Sequence, residues 1–209
     1  MSVAALFTLL DYLGVGLFAF SGGMLAARKS LDPFGAAILG AVAGMGGGTL
    51  RDVLLGRLPV YWIEDPQFLA MALGGALLGY FLSPWAQAVA TRRAFLIWAD
   101  AAGLAVFCVL GTQAGLGAGA HWSIALLTGV MSAAFGGLIR DIIVNDVPLV
   151  LREDIYALAA LAGAGVYVGG LALGGPQEWV TLGAAALALG LRGCAIIFKW
   201  SLPAMKIGD

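Results

Sequence analysis

The chain has 209 residues, of which 61% are hydrophobic and only 11% charged, with a formal net charge of −1. A soluble domain of this size carries about a quarter charged residues, so the composition excludes one and points to an all-α integral membrane protein. The near-neutral charge also argues against a nucleic-acid binder, and no soluble partner is evident.

The apolar runs are continuous rather than alternating, which means helices and not a β-barrel. Seven spans are predicted, at roughly 4–27, 34–56, 67–84, 94–114, 122–144, 155–174 and 178–198, against a need for about 20 helical residues per crossing. Span 1 carries Asp11 and runs into Arg28 and Lys29. Span 2 ends in GMGGGTLRD, which holds Gly46, Gly47, Gly48, Arg51 and Asp52. Span 3 lies in the uncharged run Pro66 to Thr91 and is followed by Arg92 and Arg93. Span 4 carries Asp100 and Cys108, and span 5 ends in FGGLIRD, with Gly136, Gly137, Arg140 and Asp141. Span 6 lies in the uncharged run Ile155 to Gln177. Span 7 holds Arg192, expected to snorkel to the nearby interface, and Cys194, which like Cys108 is expected to be a packed thiol. No basic segment precedes the first apolar run, so a signal peptide is not expected.

Charge sets the expected orientation. Arg28, Lys29, Arg92, Arg93, Arg152, Lys199 and Lys206 fall on one face, while the other has Arg57 with Glu64, Asp65 and Glu178. The basic face is taken as cytoplasmic, which puts the N-terminus outside and the C-terminus inside. The six tryptophans lie near span ends, as an interfacial belt requires.

Sliding the chain by 89 residues superposes it on itself without a gap. Asp11 meets Asp100, Gly14 meets Gly103, Phe18 meets Phe107, Gly22 meets Gly111 and Gly40 meets Gly129. Gly47-Gly48 meet Gly136-Gly137, Arg51-Asp52 meet Arg140-Asp141, Pro59 meets Pro148, Glu64-Asp65 meet Glu153-Asp154 and Gly74 meets Gly163. Each copy holds three spans. Three is odd, so the second copy enters from the opposite side. The expected organisation is a first three-helix repeat (1–91), a second, inverted repeat (92–176), and a seventh helix with a cytoplasmic tail (177–209). Matched, Gly-interrupted helices in an inverted repeat point to a transport pathway at the repeat interface.

The motif glycines have two readings. A cluster costs about 1 kcal/mol per Gly against Ala in a helix and should bend or unwind span 2 near Gly46-Gly47-Gly48 and span 5 near Gly136-Gly137. Gly14, Gly22, Gly40, Gly74, Gly103 and Gly129 read as close-packing sites. An Arg facing lipid costs at least about 2.5–3.5 kcal/mol, so Arg51 and Arg140 should face the interior. Asp11 and Arg51 lie at similar depth from one membrane face, and Asp100 and Arg140 from the other. One buried acid–base cluster per repeat is therefore expected: Asp11 with Arg51 and Asp52, and Asp100 with Arg140 and Asp141. These read as pore or gate residues, or as ion pairs that only hold the repeats together.

The 3+3+1 plan with GMGGGTLRD and FGGLIRD resembles the bacterial branch of the trimeric intracellular cation channel (TRIC) family over nearly the whole chain. Phe135 stands where the first motif has its first glycine. The resemblance implies a homotrimer in a bacterial inner membrane. Each protomer would have its own hourglass pore between the repeats, lined by kinked spans 2 and 5, with Arg51 and Arg140 nearby. It implies permeating K⁺, with modest selectivity over Na⁺, and no cofactor. The Lys-Glu-Val lipid motif of animal members is absent, although membrane lipid remains the surrounding partner.

The rival reading is a secondary transporter of a small solute such as glycine, in which an unwound helix beside an Arg binds a carboxylate. An enzyme fits poorly. His121 is the only histidine, no Cys/His cluster suits a metal, and no GK[ST] follows the glycines as a phosphate loop requires.

Overall fold

The computed structural model describes residues 3–89, 92–152 and 155–200. Glu153, Asp154 and Lys206, which entered the repeat and charge readings, lie outside the described residues, and the side chains of residues 87–93 are likewise not described.

Nine helices are present among the described residues: α1 (Val3–Arg28), α2 (Pro33–Leu54), α3 (Tyr61–Glu64), α4 (Gln67–Val89), α5 (Arg92–Gly117), α6 (Trp122–Ile143), α7 (Leu149–Arg152), α8 (Ile155–Ala172) and α9 (Gln177–Phe198). Seven of these are long and apolar enough to cross a membrane, and they coincide with the seven expected spans. The cap of α2 is local chemistry. Pro33 opens the helix, and the Asp32 carboxylate accepts from Gly35 N–H at 2.7 Å, satisfying one of the free donors of the first turn. The short helices α3 and α7 are not evident from apolar periodicity. Both follow an Arg-Asp pair and a proline, at matching places in the two copies.

The two copies face each other in a reciprocal way. The Phe18 and Phe107 rings, equivalent in the repeat, stack with centroids 5.7 Å apart. A Cβ built on Gly14 falls 3.1 Å from the Phe107 ring, and one on Gly103 falls 2.5 Å from the Phe18 ring. A Cβ on Gly47 would collide with the Ser132 carbonyl, and one on Gly136 with the equivalent Ala43 carbonyl. Residue i touching j while the repeat mate of i touches the mate of j is the signature of a two-fold axis. The axis runs between the α1/α5 and α2/α6 pairs, at the centre of the inverted 3+3 arrangement. Helix α5 is the most buried span and packs on α1, α6, α8 and α9.

The glycine expectation needs correction in part. Helices α2 and α6 run without interruption through Gly46-Gly47-Gly48 and Gly136-Gly137, so neither span unwinds there. Gly47 and Gly136 let the two backbones touch where α2 crosses α6. The helical hydrogen bonds survive because the close approach recovers dispersion that the glycines forgo elsewhere. The packing role holds for Gly22 and Gly40, since a Cβ on Gly22 falls 2.7 Å from the Gly40 Cα. It also holds for Gly129, whose Cβ would fall 2.5 Å from the Cys108 carbonyl. Gly74 departs from it: nothing lies within 4 Å of its Cβ position. Its repeat mate Gly163 is covered by Ala184 and Ala188 of α9. The seventh helix thus seals a face of the second repeat that stays open in the first. The open face is an apolar groove of about 380 Å³ lined by α1 and α4. Cys108 is buried in the core and Cys194 is half-buried; both are free thiols.

Candidate functional site

The second Arg-Asp pair is a buried cluster in which Asp100 Oδ2 and Arg140 Nη2 have no hydrogen-bond partner. Arg140 is fully buried at 0% exposure and Asp100 at 1%. Arg140 Nε donates to Asp141 Oδ1 at 2.8 Å. Its Nη1 donates to Asp100 Oδ1 at 2.9 Å and to Ser21 Oγ at 2.6 Å. Asp141 Oδ2 accepts from the Leu149 backbone N–H at 3.0 Å. One guanidinium on α6 therefore ties α5, α1 and, through Asp141, the start of α7. Gly137 gives this group its room. A Cβ there would sit 3.2 Å from Asp100 Oδ1, 3.5 Å from the Tyr156 hydroxyl and 3.6 Å from Arg140 Nη2.

The first pair is built from the same parts but lacks the bond from its Arg to the distant Asp. Arg51 Nε donates to Asp52 Oδ1 at 2.8 Å, and Asp52 Oδ2 accepts from Tyr61 N–H at 3.2 Å. The Arg51 guanidinium then lies 5.6 Å from the centre of the Tyr61 ring, within cation–π range. Gly48 makes space for that ring, since its Cβ would fall 2.8 Å from Tyr61 Cε1. Arg57 Nη1 adds a longer ion pair to Asp52 at 3.8 Å. Asp11 lies within electrostatic reach of Arg51, Asp52 and Arg57, yet it makes no hydrogen bond to Arg51, and its buried Oδ1 has no hydrogen-bond partner.

The expected clusters are thus assembled differently in the two halves. Asp100, Arg140, Asp141 and Gly137 meet as expected. Arg51, Asp52 and Gly48 meet around Tyr61, with Asp11 near but not bonded. Gly46, Gly47 and Gly136 belong to the α2/α6 crossing. Apolar periodicity had no means of finding Ser21, Tyr61 and Tyr156, because a lone Ser or Tyr in an apolar span reads as filler.

Arg192 does not snorkel. It is 2% exposed, and its guanidinium carbon sits 5.1 Å from the Tyr156 ring centre. The correction follows from packing. Helix α9 presses Arg192 against α8, and an aromatic face beside a buried acid is a better site for a guanidinium than lipid.

Each end of the bundle has a small mouth. At one, Arg28, Asp141, Asp146, Leu149 and Arg152 line a cavity of about 50 Å³. It is bordered by an ion pair between Lys29 Nζ and Asp146 Oδ1 at 2.7 Å. At the other, Arg57 and Gln113 line a cavity of about 240 Å³ with Ala114, Gly117 and Ala118. The Lys29 hydrogen bond holds the Asp146 carboxyl below its usual range. Stability from a lowered carboxyl is present above the unfolded pKa, about 3.9, and is lost as pH falls through the lower folded value. Asp146→Asn is therefore expected to cost at most about 1 kcal/mol at pH 7, as half-exposed pairs do. That difference from wild type should shrink as pH falls below about 3.9 and vanish once Asp146 is protonated in the folded protein, read by thermal unfolding in detergent at pH 7 and in acid.

A family model described as "Glycine transporter" matches residues 8–84 and 97–171, two stretches whose first residues stand one repeat apart. The UPF0126 inner membrane protein YadS of Escherichia coli strain K12 is 35% identical over 205 residues, covering 96% of each chain. The TRIC trimeric intracellular cation channel orthologue from Rhodobacter sphaeroides is 39% identical and superposes with a TM-score of 0.89, covering 93% of this chain and 99% of that one. A second TRIC structure, described as revealing the basis of conductance through these cation channels, is 30% identical with a TM-score of 0.85, over 97% and 98% of the two chains. The chain belongs to the bacterial TRIC family. The family model's transporter name is a label for the same proteins.

Proposed function

We propose that this TRIC-family protein is a K⁺-permeable monovalent cation channel with one pathway per protomer. The pathway runs between the two repeats, along the α2/α6 crossing, past Arg51 and Asp52 on one side and Arg140 and Asp141 on the other. The observation that carries this reading is the match to solved cation channels over nearly the full chain. Gly46, Gly47, Gly48, Gly136 and Gly137 set the width of the crossing, and Asp11, Asp52, Asp100 and Asp141 offset the two arginines along it. Repeat boundaries at 1–91 and 92–176, with 177–209 as the added helix and tail, fit the reciprocal contacts. Helices α2 and α6 are continuous, so they offer no ring of free carbonyls, and weak K⁺ over Na⁺ selectivity is expected.

Self-association as a homotrimer is supported by the open α1/α4 groove, whose counterpart in the other repeat is sealed by α9. Residence in a bacterial inner membrane is supported by the YadS name. An outside N-terminus and cytoplasmic C-terminus are supported by Arg28, Lys29 and Arg152 gathering at one end. The glycine-transporter reading loses its main physical support, because uninterrupted helices leave no free backbone N–H groups for a carboxylate.

Purified protein fused into planar bilayers under a KCl gradient tests this. Discrete openings passing more than about 10⁶ ions per second separate a channel from a carrier, whose cycle takes about μs–ms or longer. The reversal potential should lie towards K⁺. Arg51→Ala removes a positive charge from the path and should move it further in that direction. A silent bilayer together with saturable glycine uptake into proteoliposomes would reverse the assignment.

A further inference from the structure

The seventh spanning helix, α9, has no counterpart in the first repeat, yet it reaches the second Arg-Asp cluster. Thr181, Ala184, Ala188 and Arg192 are all buried and recur every three or four residues, so they share one face of α9. That face is pressed on α8: a Cβ on Gly163 would fall 2.8 Å from the Ala188 Cβ and 3.2 Å from the Ala184 carbonyl. Contact this close fixes where the next residue of the stripe, Arg192, is delivered. Its guanidinium carbon stands 5.1 Å from the centre of the Tyr156 ring, a cation–π distance.

The hydroxyl end of that ring lies at the cluster. The point where Gly137 would carry a Cβ is 3.5 Å from the Tyr156 hydroxyl, 3.2 Å from Asp100 Oδ1 and 3.6 Å from Arg140 Nη2. Groups from α8, α5 and α6 therefore gather over one glycine. The Tyr156 bond to the Ala133 carbonyl is long, at 3.5 Å, so packing on the ring matters for where the hydroxyl points. Charge argues the same way. Arg140 and Arg192 equal Asp100 and Asp141 in number, and all four are buried. Without Arg192 two carboxylates would share one guanidinium in the interior, where unmatched charge is costly. The first half is arranged differently. The repeat mate of Tyr156 is Gln67, whose side-chain oxygen accepts from Tyr12 at 3.3 Å, and the ring beside Arg51 is Tyr61 of α3.

We propose that Arg192 is a positioning residue: from the seventh spanning helix it holds the Tyr156 ring against the Arg140–Asp100 pair, so an element outside the repeat sets the geometry of one of the two clusters. The effect on conduction rests on the channel reading; the positioning itself stands on the contacts.

The test is a double-mutant cycle between Arg192 and Asp100, which lie at opposite ends of the Tyr156 side chain, in full-length protein in detergent. Thermal unfolding is followed for wild type, Arg192→Met, Asp100→Asn and the double variant. The double variant should depart from the sum of the two single shifts by about 3 °C. That departure should disappear when the cycle is repeated in a Tyr156→Leu background. Arg192→Lys keeps the charge without the flat guanidinium that stacks on a ring and should give a smaller departure; it takes the place of Arg192→Met if that variant does not fold. Additive shifts would leave Arg192 as a contact between α8 and α9 alone and overturn the proposal, as would a coupling that survives loss of the ring. In bilayers Arg192→Met should change the mean open time about fivefold, the factor that a coupling of this size corresponds to. Coupling through Tyr156 with unchanged open times overturns the control of conduction. The same coupling with a silent wild type supports the positioning and overturns the channel reading instead.

Discussion

Arg140→Ala should be the most damaging single charge substitution, costing about 3–5 kcal/mol, the range for breaking a buried pair and leaving its partners unmatched. The guanidinium has no exposure and serves Asp141, Asp100 and Ser21 at once. Its loss strands two carboxylates inside the bundle and unties α6 from α5 and α1. Lys is a poor substitute, because a point ammonium cannot span three acceptors in a fixed fork. Arg51→Ala should cost clearly less, since Arg51 binds only Asp52 and a ring face. Combining Arg140→Met with Asp100→Leu and Asp141→Leu should recover most of the loss, as apolar replacement of buried ion groups does elsewhere. Denaturation in detergent micelles measures all of these. Equal costs for Arg51→Ala and Arg140→Ala would show that the two halves are not locked unequally.

The second large effect is expected at the α2/α6 crossing. Gly47→Ala and Gly136→Ala each force a methyl group into a backbone carbonyl of the facing helix. A carbonyl cannot rotate aside as a side chain can. Each substitution should cost about 1–3 kcal/mol, and Leu more, as overpacking of a tight site does. Gly46→Ala is the control. Its Cβ position is 3.4 Å from Ile139 Cδ1, the flexible end of a side chain, with the Gly136 Cα next at 3.9 Å. There the removal of a helix-interior glycine should be neutral or stabilising by up to about 1 kcal/mol. Thermal unfolding separates the cases, and bilayer recordings show whether splaying the crossing changes conductance. If Gly47→Ala is as mild as Gly46→Ala, close approach is not what these glycines are for.

Much of the molecule was legible in the amino-acid order. Span positions follow from apolar length, because a helix must cover about 30 Å of hydrocarbon. Inversion follows from counting three spans per copy. The Arg-Asp pairs stand out because charge in an apolar run is costly wherever it is not paired. The role of Gly46-Gly47-Gly48 was not legible, since a glycine that breaks a helix and one that lets two helices touch look alike in one dimension. Arg192 was misplaced for a related reason. Distance from a span end suggests snorkelling, but only the position of α8 brings the Tyr156 ring beneath its guanidinium.

What the sequence determined by itself is the set of seven spanning helices, their two-fold relation and the residue types placed at each depth. These are local or periodic properties, written in hydropathy and in the repeat. What only the tertiary structure decided is how two chemically equivalent clusters differ. Arg140 meets Asp100 across α5 and α6 with help from Ser21 on α1, while Arg51 turns to Asp52 and Tyr61 and leaves Asp11 unbonded. A guanidinium on a long side chain chooses among acceptors by the packing of neighbouring helices. That choice depends on which residues beyond the repeat pattern, Ser21, Tyr61 and Tyr156 among them, come to stand beside it.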